Sequence, residues 1–222
     1  MLKTIDSYRK CKNCAVVSRC FFSHVHIEQY CHESEILELQ PGEPLLQAGK
    51  LVKYLYVVKS GTLKNLLISG NGDEIIAGFT LTGEIVDIHA QREFKSIVST
   101  VALEASQLCF WPLNDFFVIF HQQPQLAKAF VYLLLQRKTD DMIIFLNNLV
   151  PAIDRVEYFL RNIFERTHLF APDTKHSFRL SMSREEIGNY LNLSTETVSR
   201  MLRKLQDIGK LRVKSKNIFF NY

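Results

Sequence analysis

Apolar positions change their spacing along the chain, and each change predicts a different element. Between about residues 35 and 112 they fall in short runs rich in Val, Ile, Leu and aromatics: 51–58, 63–68, 75–81, 97–101 and 107–111. Ser60-Gly61 and Gly70-Asn71-Gly72 interrupt them, and Asn-Gly between two such runs is a strong hairpin signal. Strands at this spacing predict a β-sandwich or roll. From Pro124 a helical pattern runs to about Asn148 with no Gly or Pro before Pro151. Val131, Leu135, Met142, Phe145 and Leu149 form one stripe, while Phe130, Leu133, Leu134 and Ile144 fall on other sides. One face can then pack on the β domain and another meet a partner helix, although burial within one chain accounts for the periodicity equally well. A further helix is expected over about 153–167, followed by a polar loop at 172–175.

Past that loop the pattern shortens. Ser183 followed three residues later by Glu186 has capping-box spacing and predicts a short helix over 185–191. Asn192-Leu193 makes a tight turn, Ser194 is a good N-cap, and residues 195–207 form a second helix with Val198, Met201, Leu202 and Leu205 facing inward. Two helices joined by so short a turn are a helix-turn-helix. Gly209 ends the second helix, and a hairpin of 210–213 with 217–220 around Lys214-Ser215-Lys216 makes a wing. Glu196, Ser199 and Arg200 stand at i, i+3 and i+4 opposite the apolar stripe, where a DNA groove would lie. There Arg donates to guanine, Glu accepts from cytosine and Ser reaches several edges. The bland alternative is an exposed Glu–Arg pair of a few tenths of a kcal/mol.

Composition adds little until charge is divided along the chain. Apolar residues are 47% and charged residues 23%, ordinary for a globular protein, and 222 residues suit two domains. The net charge is +4, but residues 194–216 carry seven basic side chains against two acidic ones, a local +5. That is the footprint of a phosphate-backbone binder as well as of a plain solvated face; Arg203, Lys214 and Lys216 are the expected phosphate contacts. The first twelve residues lack the apolar core of an export signal, and no apolar run approaches the roughly 18 residues of a membrane span, so a cytoplasmic protein is expected. No P-loop, GxSxG or HExxH motif occurs, and no enzymatic activity is expected.

Residues 10–31 hold four of the five cysteines, and Cys11, Cys14 and Cys20 read C-x2-C-x5-C. An odd count without an export signal argues for metal rather than disulfides. Clustered thiolates suit zinc or an iron–sulfur cluster, each needing a fourth ligand, and spacing alone does not choose. Lys10, Lys12 and Arg19 would lower the thiol pKa values, while His24, His26 and His32 are alternative ligands or ordinary surface residues. Cys109, within an apolar strand, reads by itself as a small core residue.

Taken together the chain resembles the CRP/FNR family, and within it the FNR-type oxygen-responsive regulators, from Lys10 onward. The resemblance is carried by the Cys11/Cys14/Cys20 spacing, Ser60-Gly61-Thr62, Gly72-Asp73-Glu74 with Gly78-Phe79 and Gly83, and Cys109 followed by Pro112. Asp141-Met142-Ile143, Phe178-Arg179-Leu180, Ile187-Gly188-Asn189-Tyr190-Leu191 and Glu196-Thr197-Val198-Ser199-Arg200 complete it. It implies an α+β architecture: a cysteine-rich arm over 1–33, a β-roll of the cyclic-nucleotide-binding jelly-roll type over 34–123, a dimerisation helix over 124–150 and a winged helix-turn-helix over 151–222. It implies that Cys11, Cys14, Cys20 and Cys109 ligate a [4Fe–4S] cluster, with Cys31 spare. It further implies an oxygen-responsive homodimer controlling anaerobic genes, with nitric oxide a second signal. Glu196, Ser199 and Arg200 would read double-stranded DNA at half-sites similar to TTGAT-N4-ATCAA, and RNA polymerase would be a further partner.

The chain departs from the FNR pattern in one place. Thr139 stands where FNR-type proteins carry an acidic residue on the dimer helix, with Asp140 and Asp141 following. The rival readings are a structural zinc arm and a small-molecule effector in the β-roll. Gly83-Glu84 is present, but residues 85–99 lack the Arg-Ser/Thr-Ala pattern that resembles a cyclic-nucleotide pocket.

Overall fold

The computed structural model describes Cys14, Val16, Cys20 and residues 35–86, 94–147, 149–168 and 177–221. Cys11, Cys31, the polar loop at 172–175 and the histidines at 24, 26 and 32 lie outside the described residues. Two compact units divide the chain, residues 1–135 and 136–222.

In the first unit, the alternating runs form strands β1 (Glu35–Leu39), β2 (Pro44–Leu46), β3 (Tyr54–Ser60), β4 (Leu63–Ile68), β5 (Glu74–Thr80), β6 (Ser99–Ala102) and β7 (Ser106–Pro112). They pair antiparallel in two sheets, β1-β7-β3 and β2-β6-β4-β5, the roll expected from the sequence. The hairpin forms between β4 and β5, with Ile68 opposite Glu74 and Gly72 at φ +87°. Ser69 Oγ accepts hydrogen bonds from the amides of Asn71 and Asp73 and so closes the turn. The expected strand over 51–58 begins instead at Tyr54, since Leu51 makes only an isolated bridge to Lys95.

Between the sheets lies a core of Leu39, Val58, Leu63, Val86, Ala102 and Leu108. A second core lies on the outer face of the three-stranded sheet, where the pleat sends Leu55, Val57 and Trp111. It is covered by α1 (Leu113–Gln122) and by the start of α2 (Pro124–Asn147) through Phe116, Ile119 and Leu126. Phe116, Phe120 and Phe130 pack there at tilted to edge-on angles with centroids 4.2 to 5.5 Å apart. Helix α1 was not expected from the sequence: Pro112, which ends β7, is also its N-cap, so no loop separates strand from helix.

Two sides of α2 meet different fates. Leu126, Ala129, Phe130 and Leu133 face the outer core, whereas Val131, Leu135 and Met142 are about half exposed. Leu149, in the connection that follows, is 83% exposed. Among the described residues no helix is long and apolar enough to cross a membrane.

In the second unit, α3 (Ala152–His168) buries Val156, Phe159, Leu160 and Ile163. Strand β8 (Ser177–Arg179), also not foreseen, joins β9 (Leu211–Lys214) and β10 (Asn217–Phe220) in the order β8-β10-β9. Helices α4 (Arg184–Leu191) and α5 (Thr195–Asp207) complete a winged helix-turn-helix.

Candidate functional site

The helix-turn-helix is built from local chemistry. At the start of α4, Ser183 Oγ accepts from the Glu186 amide at 3.1 Å and Glu186 Oε2 accepts from the Ser183 amide at 2.8 Å, the predicted capping box. Asn192 ends the helix in the left-handed region (φ 52°, ψ 51°), and the Leu193 amide folds back to donate to the Gly188 carbonyl at 2.8 Å. A Cβ on Gly188 would lie 2.5 Å from the Leu193 carbonyl oxygen, so this turn admits no side chain there. Ser194 caps α5, its Oγ accepting from the Thr197 amide at 3.1 Å.

Val198, Leu202 and Leu205 are buried and Met201 half-buried, which fixes the rotation of α5. Glu196 and Arg200 are consequently exposed and Ser199 half-exposed, on the face expected for base reading. Among the described residues no salt bridge joins Glu196 to Arg200, so the simple surface-pair reading finds no support. The Glu196 carboxyl is held below the usual carboxylate range by hydrogen bonds from its own backbone amide and from the Ser194 hydroxyl. It is therefore an anion at neutral pH.

Arg203, Lys214 and Lys216 are exposed, the two lysines flanking Ser215 at φ 56° in the wing turn. The sequence count overstates the available charge, because two basic residues are engaged within the fold. Lys210 Nζ lies 2.6 Å from Glu157 Oε2, and the Arg212 guanidinium sits 5.2 Å over the Phe219 ring. Gln206 Oε1 accepts from the Val213 amide at 2.8 Å and ties the wing to α5. Sequence reasoning also missed Arg155, which bonds two backbone carbonyls; a lone Arg in the first turn of a helix carries no signal of this.

The described cysteines lie in the other unit. The pleat of β7 places Leu108 and Phe110 toward the interior of the roll and Cys109 with Trp111 on the outer face. Cys109 is thus half-buried at the edge of the outer core, not a core residue of the roll as its apolar neighbours suggested. Cys20 packs on that same cluster. Its amide donates to the Val16 carbonyl at 2.7 Å, closing a turn anchored by the buried Val16. Cys14 is half-buried. Cys11 is outside the described residues, and among those described no three His, Cys, Asp or Glu side chains gather as a metal site.

Comparison with known proteins gives the following likenesses. Residues 180–211 match the family described as bacterial regulatory proteins, crp family, and residues 36–123 match the cyclic nucleotide-binding domain. Regulatory protein HlyX of Actinobacillus pleuropneumoniae is 30% identical over 217 residues, 95% of this chain and 90% of its own. The fumarate and nitrate reduction regulatory protein of Escherichia coli K12 is 33% identical over 215 residues, 94% of this chain and 85% of its own. Among solved structures, FixK2 of Bradyrhizobium japonicum superposes with TM-score 0.75 at 20% identity, covering 85% of this chain and 93% of that one. The regulator CLP of Xanthomonas campestris gives 0.66 at 20% identity, covering 88% and 98%.

Proposed function

Because the chain belongs to the CRP/FNR family of DNA-binding transcription regulators, we propose that it is a cytoplasmic, oxygen-responsive member that senses through a [4Fe–4S] cluster and controls anaerobic genes. The observation that carries the sensor half of this reading is that Cys20 and Cys109 pack against the same apolar cluster. Two soft thiol donors from an arm and a strand, with Cys14 half-buried on that arm, fit a thiolate-ligated centre. Cys11, Cys14, Cys20 and Cys109 would hold the group, and it would supply an oxidant-sensitive centre at the seam between arm and roll.

The chain's own residues connect that seam to DNA. The cluster receiving Cys20 and Cys109 also receives Phe130 and Leu133 of α2, so seating of the arm bears on the helix whose opposite side exposes Val131 and Leu135. An exposed apolar stripe on a helix is stabilised by a second copy, and a homodimer presents two α5 helices to a two-fold operator. Arm seating and dimer formation then share one equilibrium, which a signal at the thiolates biases. On each half-site Glu196, Ser199 and Arg200 read bases while Arg203, Lys214 and Lys216 contact phosphate. RNA polymerase is the further partner by family analogy.

The test is visible absorbance with iron and acid-labile sulfide content of protein purified without oxygen, before and after admitting air. A brown protein with about four irons and four sulfides that bleaches in air is the expected result. A colourless protein holding one zinc would overturn the sensor assignment and make the arm structural.

A further inference from the structure

Arg155, in the first turn of α3, reaches in two directions. Its Nε donates to the Val150 carbonyl at 3.2 Å and its Nη1 to the Leu191 carbonyl at 3.1 Å. Val150 lies in the connection between α2 and α3, while Leu191 is the last residue of α4. The Leu191 carbonyl is one of those at a helix C-terminus that no intrahelical amide can satisfy, and a cation is favoured there. The next residue, Asn192, is the left-handed turn that directs the chain into α5. One half-buried guanidinium therefore joins the connection leaving α2 to the turn that aims the base-reading helix.

Elsewhere α3 meets the rest of this unit through the Glu157–Lys210 ion pair at 2.6 Å and through aromatic packing. Phe159 meets Tyr190 edge-on at 5.7 Å, and Phe164 lies beside Phe178 and Phe220 at 6.0 and 5.1 Å. Such packing supplies adhesion but tolerates small slides, whereas a planar fork holding two carbonyls is directional. We propose that Arg155 is a positioning residue for operator binding: it sets the angle at which the helix-turn-helix leaves the α2–α3 connection, and so the half-site separation that the dimer accepts. The proposal rests on the reading above that a dimer binds a two-fold operator, where half-site spacing reports the distance between the two recognition helices.

The experiment uses the full chain prepared without oxygen, with Arg155→Lys and Arg155→Ala. Binding is measured on palindromes of the TTGAT…ATCAA type with the spacer at, one and two base pairs above, and one base pair below the preferred length, and on an isolated half-site. Lysine keeps the charge but cannot span both carbonyls as a fork. The expected result is that Arg155→Lys retains half-site affinity within about twofold and an unchanged melting temperature, while its preference for the best spacer over the others falls by about tenfold, roughly 1.4 kcal/mol. Retention of the wild-type spacer preference in the lysine variant overturns the proposal. So does a parallel loss of half-site affinity and melting temperature, which marks a merely structural role. If the alanine variant fails to fold, the lysine variant decides alone. Wild-type protein that binds palindrome and half-site equally would instead remove the dimeric reading itself.

Discussion

Cys20 and Cys109 stand eighty-nine positions apart in the chain, yet both side chains rest on the cluster formed by Leu55, Val57, Trp111 and Phe116. Val16, whose carbonyl accepts from the Cys20 amide, is buried, and the β7 pleat turns Cys109 outward. Replacing Cys109 by Ser swaps a soft thiolate for a hard hydroxyl with little change of volume, so it should remove iron and sulfide from anaerobically purified protein without unfolding the roll. Full retention of both would show that Cys31 or a histidine completes the site.

Arg200 is exposed on α5 with no partner among the described residues. Arg200→Ala should weaken operator binding by about 1–3 kcal/mol and flatten discrimination at one base pair of each half-site. Titration against matched and singly mismatched duplexes checks this; equal discrimination by the two proteins would assign base reading elsewhere.

At Gly188 the obstacle to a side chain is the backbone oxygen of Leu193, which cannot swing aside as a flexible side chain would. Overpacking costs about 1–3 kcal/mol, against a helix-propensity gain of at most about 1 kcal/mol for Ala over Gly. Gly188→Ala should therefore lower stability by about 1–2 kcal/mol and weaken DNA binding further by displacing the turn. Urea unfolding curves would read the first effect and anisotropy the second.

Glu157 sits 13% exposed between Lys210 and Arg161. Burial raises its pKa, but hydrogen bonds and charge from Lys210 and Arg161 outweigh that and hold the carboxyl below its usual value of 4.5. A depressed folded pKa contributes stability above the unfolded value, and that stability is lost as pH falls through the folded one. Because both cations are more than a third exposed, the effect is screened to about 1 kcal/mol or less. Glu157→Gln should accordingly lower the melting temperature at pH 7 and converge with wild type as pH falls below the lowered folded pKa.

The helix-turn-helix was legible in the sequence nearly to the residue, because the signals that build it are local. Ser183 with Glu186, Asn192, Ser194 and Gly209 each act within a few positions, and the observed α5 has the predicted bounds. The hairpin at Gly72 and the strands of the roll were legible for the same reason, apart from their ends. Helix α1 was not, since Pro112 serves strand and helix at once, and β8 was not, since three residues carry no period of their own.

Tertiary structure alone decided the rest. Periodicity placed apolar residues on several sides of α2 but did not say which side would be covered; packing on the outer core chose Phe130 and Leu133 and left Val131 and Leu135 exposed. Charge counting made every basic residue near the C-terminus equivalent, until Glu157 engaged Lys210 and Phe219 engaged Arg212. The sequence by itself determined the elements and the chemistry each one carries. Which distant side chains share a surface depends on sheet pairing and pleat, and those follow from the summed burial of the whole chain rather than from any local run.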